Sequence, residues 1–85
     1  MRKLLYLLKS PVPHAEDLLP QHPNAEQDVS VVLIQEGVAQ QHIAADRVYA
    51  LSEDAAARGR ASVFPTVSYE DLVRMIFEAD TVIAL

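Results

Sequence analysis

Leu4-Leu5-Tyr6-Leu7-Leu8 and, further on, Val29-Ser30-Val31-Val32-Leu33-Ile34 decide the fold. Both are nearly unbroken apolar runs, and the second is rich in β-branched residues. A strand with one wet face alternates apolar and polar residues. A strand apolar at consecutive positions has both faces covered, as in a parallel sheet between helical layers. Outward from these runs, Arg47 to Leu51 and Thr81 to Leu85 are shorter strands of the same kind. Ala61 to Val67 is a weaker strand candidate. Its Pro65 has no N–H to give a ladder and belongs at a sheet edge or a strand end.

Helices fill the intervals. Tyr69 to Ala79 is the clearest: Ser68 is suited to cap it and Asp71 completes a capping box. Tyr69, Leu72, Val73 and Ile76 recur at helical spacing as its apolar stripe, Met75 joins the core, and Arg74 and Glu78 are spaced to pair on the exposed side. A second helix runs from Glu53 to Arg58. Ser52 is its expected cap, Glu53 and Asp54 suit its positive end, and Gly59 suits a left-handed residue just past its end. The run Ala55-Ala56-Ala57 has little bulk, so this helix can lie close to a sheet. Gly37 to Ala45 is expected to be a third helix, and His14 to Gln21 a short one between prolines, followed by a polar loop from Pro20 to Gln27. Alternation of strands and helices predicts a small α/β domain with a mostly parallel sheet of four or five strands and right-handed crossovers.

Eighty-five residues make one domain, spanning residues 1–85. A chain this short buries only about 60–65% of the surface it exposes when unfolded. Short helices on such a sheet leave one face or edge thinly covered, which favours oligomers. Seven basic residues against twelve acidic ones give a net charge of −5, a surface that phosphate backbones repel. Direct nucleic-acid binding is not expected. The chain has no cysteine, which excludes disulfides, thiolate metal sites and thiol nucleophiles. Arg2-Lys3 before Leu4–Leu8 resembles the start of a signal peptide, but Lys9-Ser10-Pro11 ends the apolar run before it reaches the about 7–15 residues a signal needs. The expected location is the cytoplasm, with no membrane contact.

In open α/β sheets, ligands bind beyond the carboxyl ends of the strands. Here those ends carry Lys9-Ser10, Gln35-Glu36-Gly37 and Ser52-Glu53-Asp54. They form a candidate docking or ligand surface, although strand-to-helix junctions need caps and turns of these same residue types. His14, His22 and His42 lack metal-ligand spacing. Ser10, Ser52 and Ser68 all precede helices and read as caps, and Gly37 and Gly59 are too isolated to build a phosphate loop. No metal or cofactor is implied. An acid–base role for His42 with Glu36 requires the two to meet at the start of the third helix.

Four segments taken together resemble the TusB/DsrH family of sulfur-relay proteins. They are Leu4-Leu5-Tyr6-Leu7-Leu8-Lys9-Ser10-Pro11, Val32-Leu33-Ile34-Gln35-Glu36-Gly37-Val38, Val48 to Asp54 with Ala57-Arg58-Gly59, and Val67-Ser68-Tyr69-Glu70-Asp71-Leu72-Val73. They occur in the family's order and span most of the chain, leaving the loop around residues 20–27 unmatched. The resemblance implies a three-layer α/β/α fold of the kind found in DsrE, DsrF and DsrH. It also implies hetero-oligomers with DsrE/DsrF-like (TusC/TusD-like) subunits, and persulfide transfer toward tRNA wobble-uridine thiolation or within sulfur oxidation. Two departures stand out. Glu36 replaces an Asp common in the family, keeping the charge. The stretch His14 to Leu19 lacks the cysteine that sulfur-carrying members tend to place in their first helix.

A persulfide needs a thiolate sulfur, so this chain cannot carry the relayed sulfur itself. The resemblance therefore implies a non-catalytic scaffold or docking subunit rather than an enzyme. Its interface candidates are Ser10, Gln35, Glu36, Gly37, His42, Ser52 and Glu53. The alternative is a stand-alone homo-oligomer that binds a small ligand at the strand ends through Ser10, Gln35, Glu36 and Ser52.

Overall fold

The structure is a computed structural model, and it describes residues 2–13, 27–43, 45, 47–59 and 62–85. The helix expected at His14 to Gln21, with His14 and His22, lies outside the described residues. Five strands form one sheet: β1 (Arg2–Leu8), β2 (Gln27–Leu33), β3 (Arg47–Leu51), β4 (Thr66–Val67) and β5 (Thr81–Ala84). Their order is β4-β3-β2-β1-β5, and every pairing is parallel. The small α/β domain expected from the apolar runs is the one observed.

Successive residues of the two longest strands feed opposite faces, because side chains alternate along a strand. Leu4, Tyr6 and Leu8 of β1 join Val31 and Leu33 of β2, Val48 and Ala50 of β3, Val38, Ile43 and Ala55 in one core. Leu5 and Val32 join Leu51 and Leu72 in a second core on the other face. Among the described residues, two α-helices flank the sheet. α1 (Ser52–Ala57) buries Ala55 in the first core, and α2 (Tyr69–Glu78) buries Leu72 in the second. Layers of helix thus lie on both faces of the sheet. No helix among the described residues is long and apolar enough to cross a membrane.

β4 contributes only two residues, shorter than the run from Ala61 to Val67 would allow. Pro65 limits it, and it sits at the edge where a residue without an N–H is tolerated. Its carbonyl still accepts a hydrogen bond from Ala50 N at 2.9 Å. β5 forms the other edge. Asp80 N donates to Lys3 O at 2.8 Å, and Lys3 N donates to Asp80 Oδ2 at 2.7 Å, fixing its entry beside β1.

The helix expected from Gly37 to Ala45 is instead a five-residue 3-10 turn, Gln35–Ala39. Two backbone features prevent a longer helix. Gln35 adopts a left-handed φ of 50°, and Gln40 returns to extended geometry with ψ 126°. Ser52 does not cap α1 but is its first residue, because β3 runs straight into the helix and leaves Leu51 at the cap position. Gly59 does adopt the left-handed conformation, with φ 60°.

α2 begins as the sequence requires. Ser68 Oγ accepts from Asp71 N at 3.1 Å, and Ser68 N donates to Asp71 Oδ2 at 3.3 Å. Its buried stripe differs from the expected one. Leu72, with Met75 and Ala79 beside it, faces the core, whereas Tyr69, Ile76 and Phe77 are exposed. The apolar arc of this helix is wider than the sheet beneath it can cover. Arg74 pairs with Asp71 at 3.5 Å rather than with Glu78, which reaches Lys3 at 3.8 Å.

Ser68→Ala removes half of the capping box. It is expected to lower stability by about 1 kcal/mol, a fall in Tm of roughly 4–8 °C for a domain of this size. Thermal denaturation followed by circular dichroism checks this, and an unchanged Tm contradicts the cap.

Candidate functional site

Three of the resembling segments converge at the carboxyl edge of the central strands. The loop after β1, the 3-10 turn after β2 and the first turn of α1 after β3 all stand there. The closest junction is between the first two. Gly37 N donates to Lys9 O at 2.9 Å and to Ile34 O at 2.8 Å. A Cβ at Gly37 would collide with the Leu8 carbonyl oxygen. Gly37 is therefore required here for close backbone approach, a use that spacing alone does not reveal.

Charged side chains tie the turn to α1. Gln35 N, in the strained left-handed residue, donates to Asp54 Oδ2 at 2.7 Å. Arg58 Nε donates to Glu36 Oε1 at 3.1 Å, and Arg58 Nη1 lies 3.9 Å from Asp54 Oδ1. Glu53 is exposed, and its Oε1 accepts from Ser52 Oγ at 3.2 Å. Of the candidate residues, Gln35 and Glu36 are thus tied to Asp54 and Arg58, while Gly37 is tied to Lys9 and Ile34. Ser10 is exposed, next to Lys9. The bonds from Gln35 N to Asp54 and from Arg58 to Glu36 hold the turn against α1 as a preformed surface.

His42 is exposed and belongs elsewhere. It lines a shallow groove with Pro11, Val12 and Gln40, while Glu36 turns to Arg58. The structure does not bring His42 and Glu36 together as an acid–base pair. Among the described residues, no group of three or more His, Asp or Glu side chains is placed to hold a metal ion.

Sequence reasoning missed two residues. Gln40, only 7% exposed, is the one buried polar side chain among the described residues. Its Oε1 accepts from Val12 N at 3.0 Å, and its Nε2 donates to Val12 O at 3.1 Å and to His42 O at 2.7 Å. It clamps the loop after β1 to the segment after the 3-10 turn. Nothing in the sequence separates Gln40 from its exposed neighbour Gln41. Asp54, legible in sequence as a strand-end and helix-dipole carboxylate, also holds the backbone of Gln35, which no sequence signal indicates.

No known family model matches the chain, and no curated protein matches it.

Two substitutions test the geometry of this edge. Gly37→Ala is expected to cost about 1–3 kcal/mol, because the backbone of Leu8 cannot yield as a side-chain tip would. Asp54→Ala is expected to cost about 1–2 kcal/mol through the lost charge-assisted bond from Gln35 N and the weaker ion pair with Arg58. Urea denaturation measures both, and wild-type midpoints contradict the network.

Proposed function

We propose that this chain is a non-catalytic subunit of a sulfur-relay complex, docking against cysteine-bearing α/β subunits similar to DsrE and DsrF (TusC and TusD). The reading rests on the four-segment resemblance to the TusB/DsrH family. The observation that gives it direction is the absence of any cysteine: a relay needs a thiolate to hold the persulfide, and here a partner must supply it. The role left to this chain is to bind and position that partner. The sulfur so handled goes toward tRNA wobble-uridine thiolation or sulfur oxidation, in the cytoplasm.

A docking subunit needs a surface to dock with, and two features suit that requirement. The strand-end edge is rigid and already hydrogen-bonded, so it presents a fixed charge pattern at little further ordering cost. The outer flank of α2 exposes Tyr69 at 62% and Phe77 at 84%, and Val82 of the edge strand β5 is also exposed. Large aromatic side chains left in water are characteristic of protein contacts. The second reading, a ligand site at the strand ends, is less well served, because Glu36 turns to Arg58 and Ser52 to Glu53.

Recovery of the tagged chain from its own host, read by native mass spectrometry, tests the proposal. The expected result is a fixed-ratio assembly with cysteine-bearing α/β subunits. Phe77→Glu, at a site exposed enough to leave the fold intact, is expected to abolish that assembly. A chain recovered alone contradicts the proposal.

A further inference from the structure

Among the described residues, the second core is covered by one helix on a sheet of five strands. A helix with its side chains is about 10–12 Å across, and five strands at about 4.8 Å spacing make a sheet roughly 20–25 Å wide. α2 therefore leaves sheet uncovered beside it. Over β2 and β3 the uncovered strip is a groove of about 340 Å³, within the range of about 300–1,000 Å³ typical of small-molecule sites.

The groove has an apolar floor with hydroxyls in it. Leu5, Met75 and Val67 contribute the apolar surface, and Ser30 and Tyr49 contribute the hydroxyl groups. Ser30 is the residue that interrupts the apolar run from Val29 to Ile34, and the groove is where that interruption faces.

The rim is charged, and its arrangement is specific. Lys3 and Glu78 approach to 3.8 Å across one end, joining sheet to helix. The other two pairs do not cross the groove. Arg74 and Asp71, 3.5 Å apart, both lie on α2, and Arg47 and Asp28, 2.8 Å apart, both lie on the sheet. Each wall thus carries its own cation and its own anion. The pairs on the helix side are exposed, with side-chain accessibilities of 49% and 54% for Lys3 and Glu78, and 68% and 49% for Arg74 and Asp71. Pairs this exposed are worth about 0–1 kcal/mol, so opening them toward a ligand costs little. Asp28, only 17% exposed and bonded through both oxygens to Arg47, stays fixed.

Three of the chain's seven cationic side chains gather at this groove. A plain anion placed there also meets three carboxylates, and a plain cation meets three cations. A molecule with both charges avoids either penalty. We propose that the groove binds a small zwitterion with an apolar body, the chemistry of a free α-amino acid with an apolar side chain. Its carboxylate faces Arg74 and Lys3, its ammonium faces Asp71 and Glu78, and its side chain lies on Tyr49, Val67 and Met75. This site is at the opposite end of the strands from the edge assigned to docking, and it does not depend on the relay reading.

Titration of the full chain with L-phenylalanine, followed by NMR chemical-shift changes, tests the inference, with 3-phenylpropionate and phenethylamine as probes lacking one charge each. The expected result is saturable binding of the amino acid, with shifts at Ser30, Tyr49 and Met75. Each one-charge probe is expected to bind about tenfold or more weakly, the loss of one charge-assisted contact. Arg74→Ala, checked for an unchanged Tm, is expected to weaken binding by a similar factor. No saturable binding overturns the inference. So does equal affinity for all three probes, or full affinity in Arg74→Ala.

Discussion

Val31, Val32 and Leu33 of β2 are wholly excluded from solvent, and the rest of the molecule is arranged around that burial. β2 is the middle strand of the sheet. Val31 and Leu33 pack into one core and Val32 into the other, so neither face can be opened without wetting β2. Interiors of this kind are packed at crystal-like density, and removal of even a few methyl groups is felt. β1 extends the same two-sided burial, with Leu4, Tyr6 and Leu8 on one side and Leu5 on the other. A short chain that places most of its fully buried side chains in two adjacent strands has little left for the edges. β4 is accordingly two residues long, and β5 carries Val82 half in water.

The chemistry is distributed unevenly as a consequence. At the carboxyl edge the chain comes close to itself, with Gly37 against Leu8 and Lys9, and Asp54 and Arg58 bracing Gln35 and Glu36. That edge is stiff. On the face beneath α2 the opposite holds. Among the described residues, one helix leaves an apolar flank on one side and a charged groove on the other. The stiff frame and the less covered surface thus lie in different parts of the described residues.

Much of the fold is legible in the residues alone. Continuous apolar runs fix β1 and β2, because only strands covered on both faces read that way. Ser68 with Asp71 fixes the start of α2, and Gly59 marks the end of α1. The stretch after β2 is not legible, since Gln35 taking a left-handed φ and Gln40 being buried are imposed by Asp54, Val12 and His42 across the fold. The stripe of α2 was misplaced for a related reason. Periodicity finds the apolar arc of a helix but not which part of a wide arc the sheet covers, and here it covers Leu72, Met75 and Ala79 rather than Tyr69 and Ile76. At the candidate site, Gln35, Glu36 and Gly37 were readable as a strand-end cluster. His42 was not separable from them until the chain path placed it in a different groove.

The central functional claim is that this chain promotes persulfide transfer without holding sulfur. The most direct measurement is the rate of persulfide transfer between partner thiols in the assembly isolated from the host, followed by mass spectrometry with this chain present and then removed. Holding two partners together raises their effective concentration to the millimolar range, so the account predicts that removal slows transfer by about tenfold or more. An unchanged rate without the chain contradicts it.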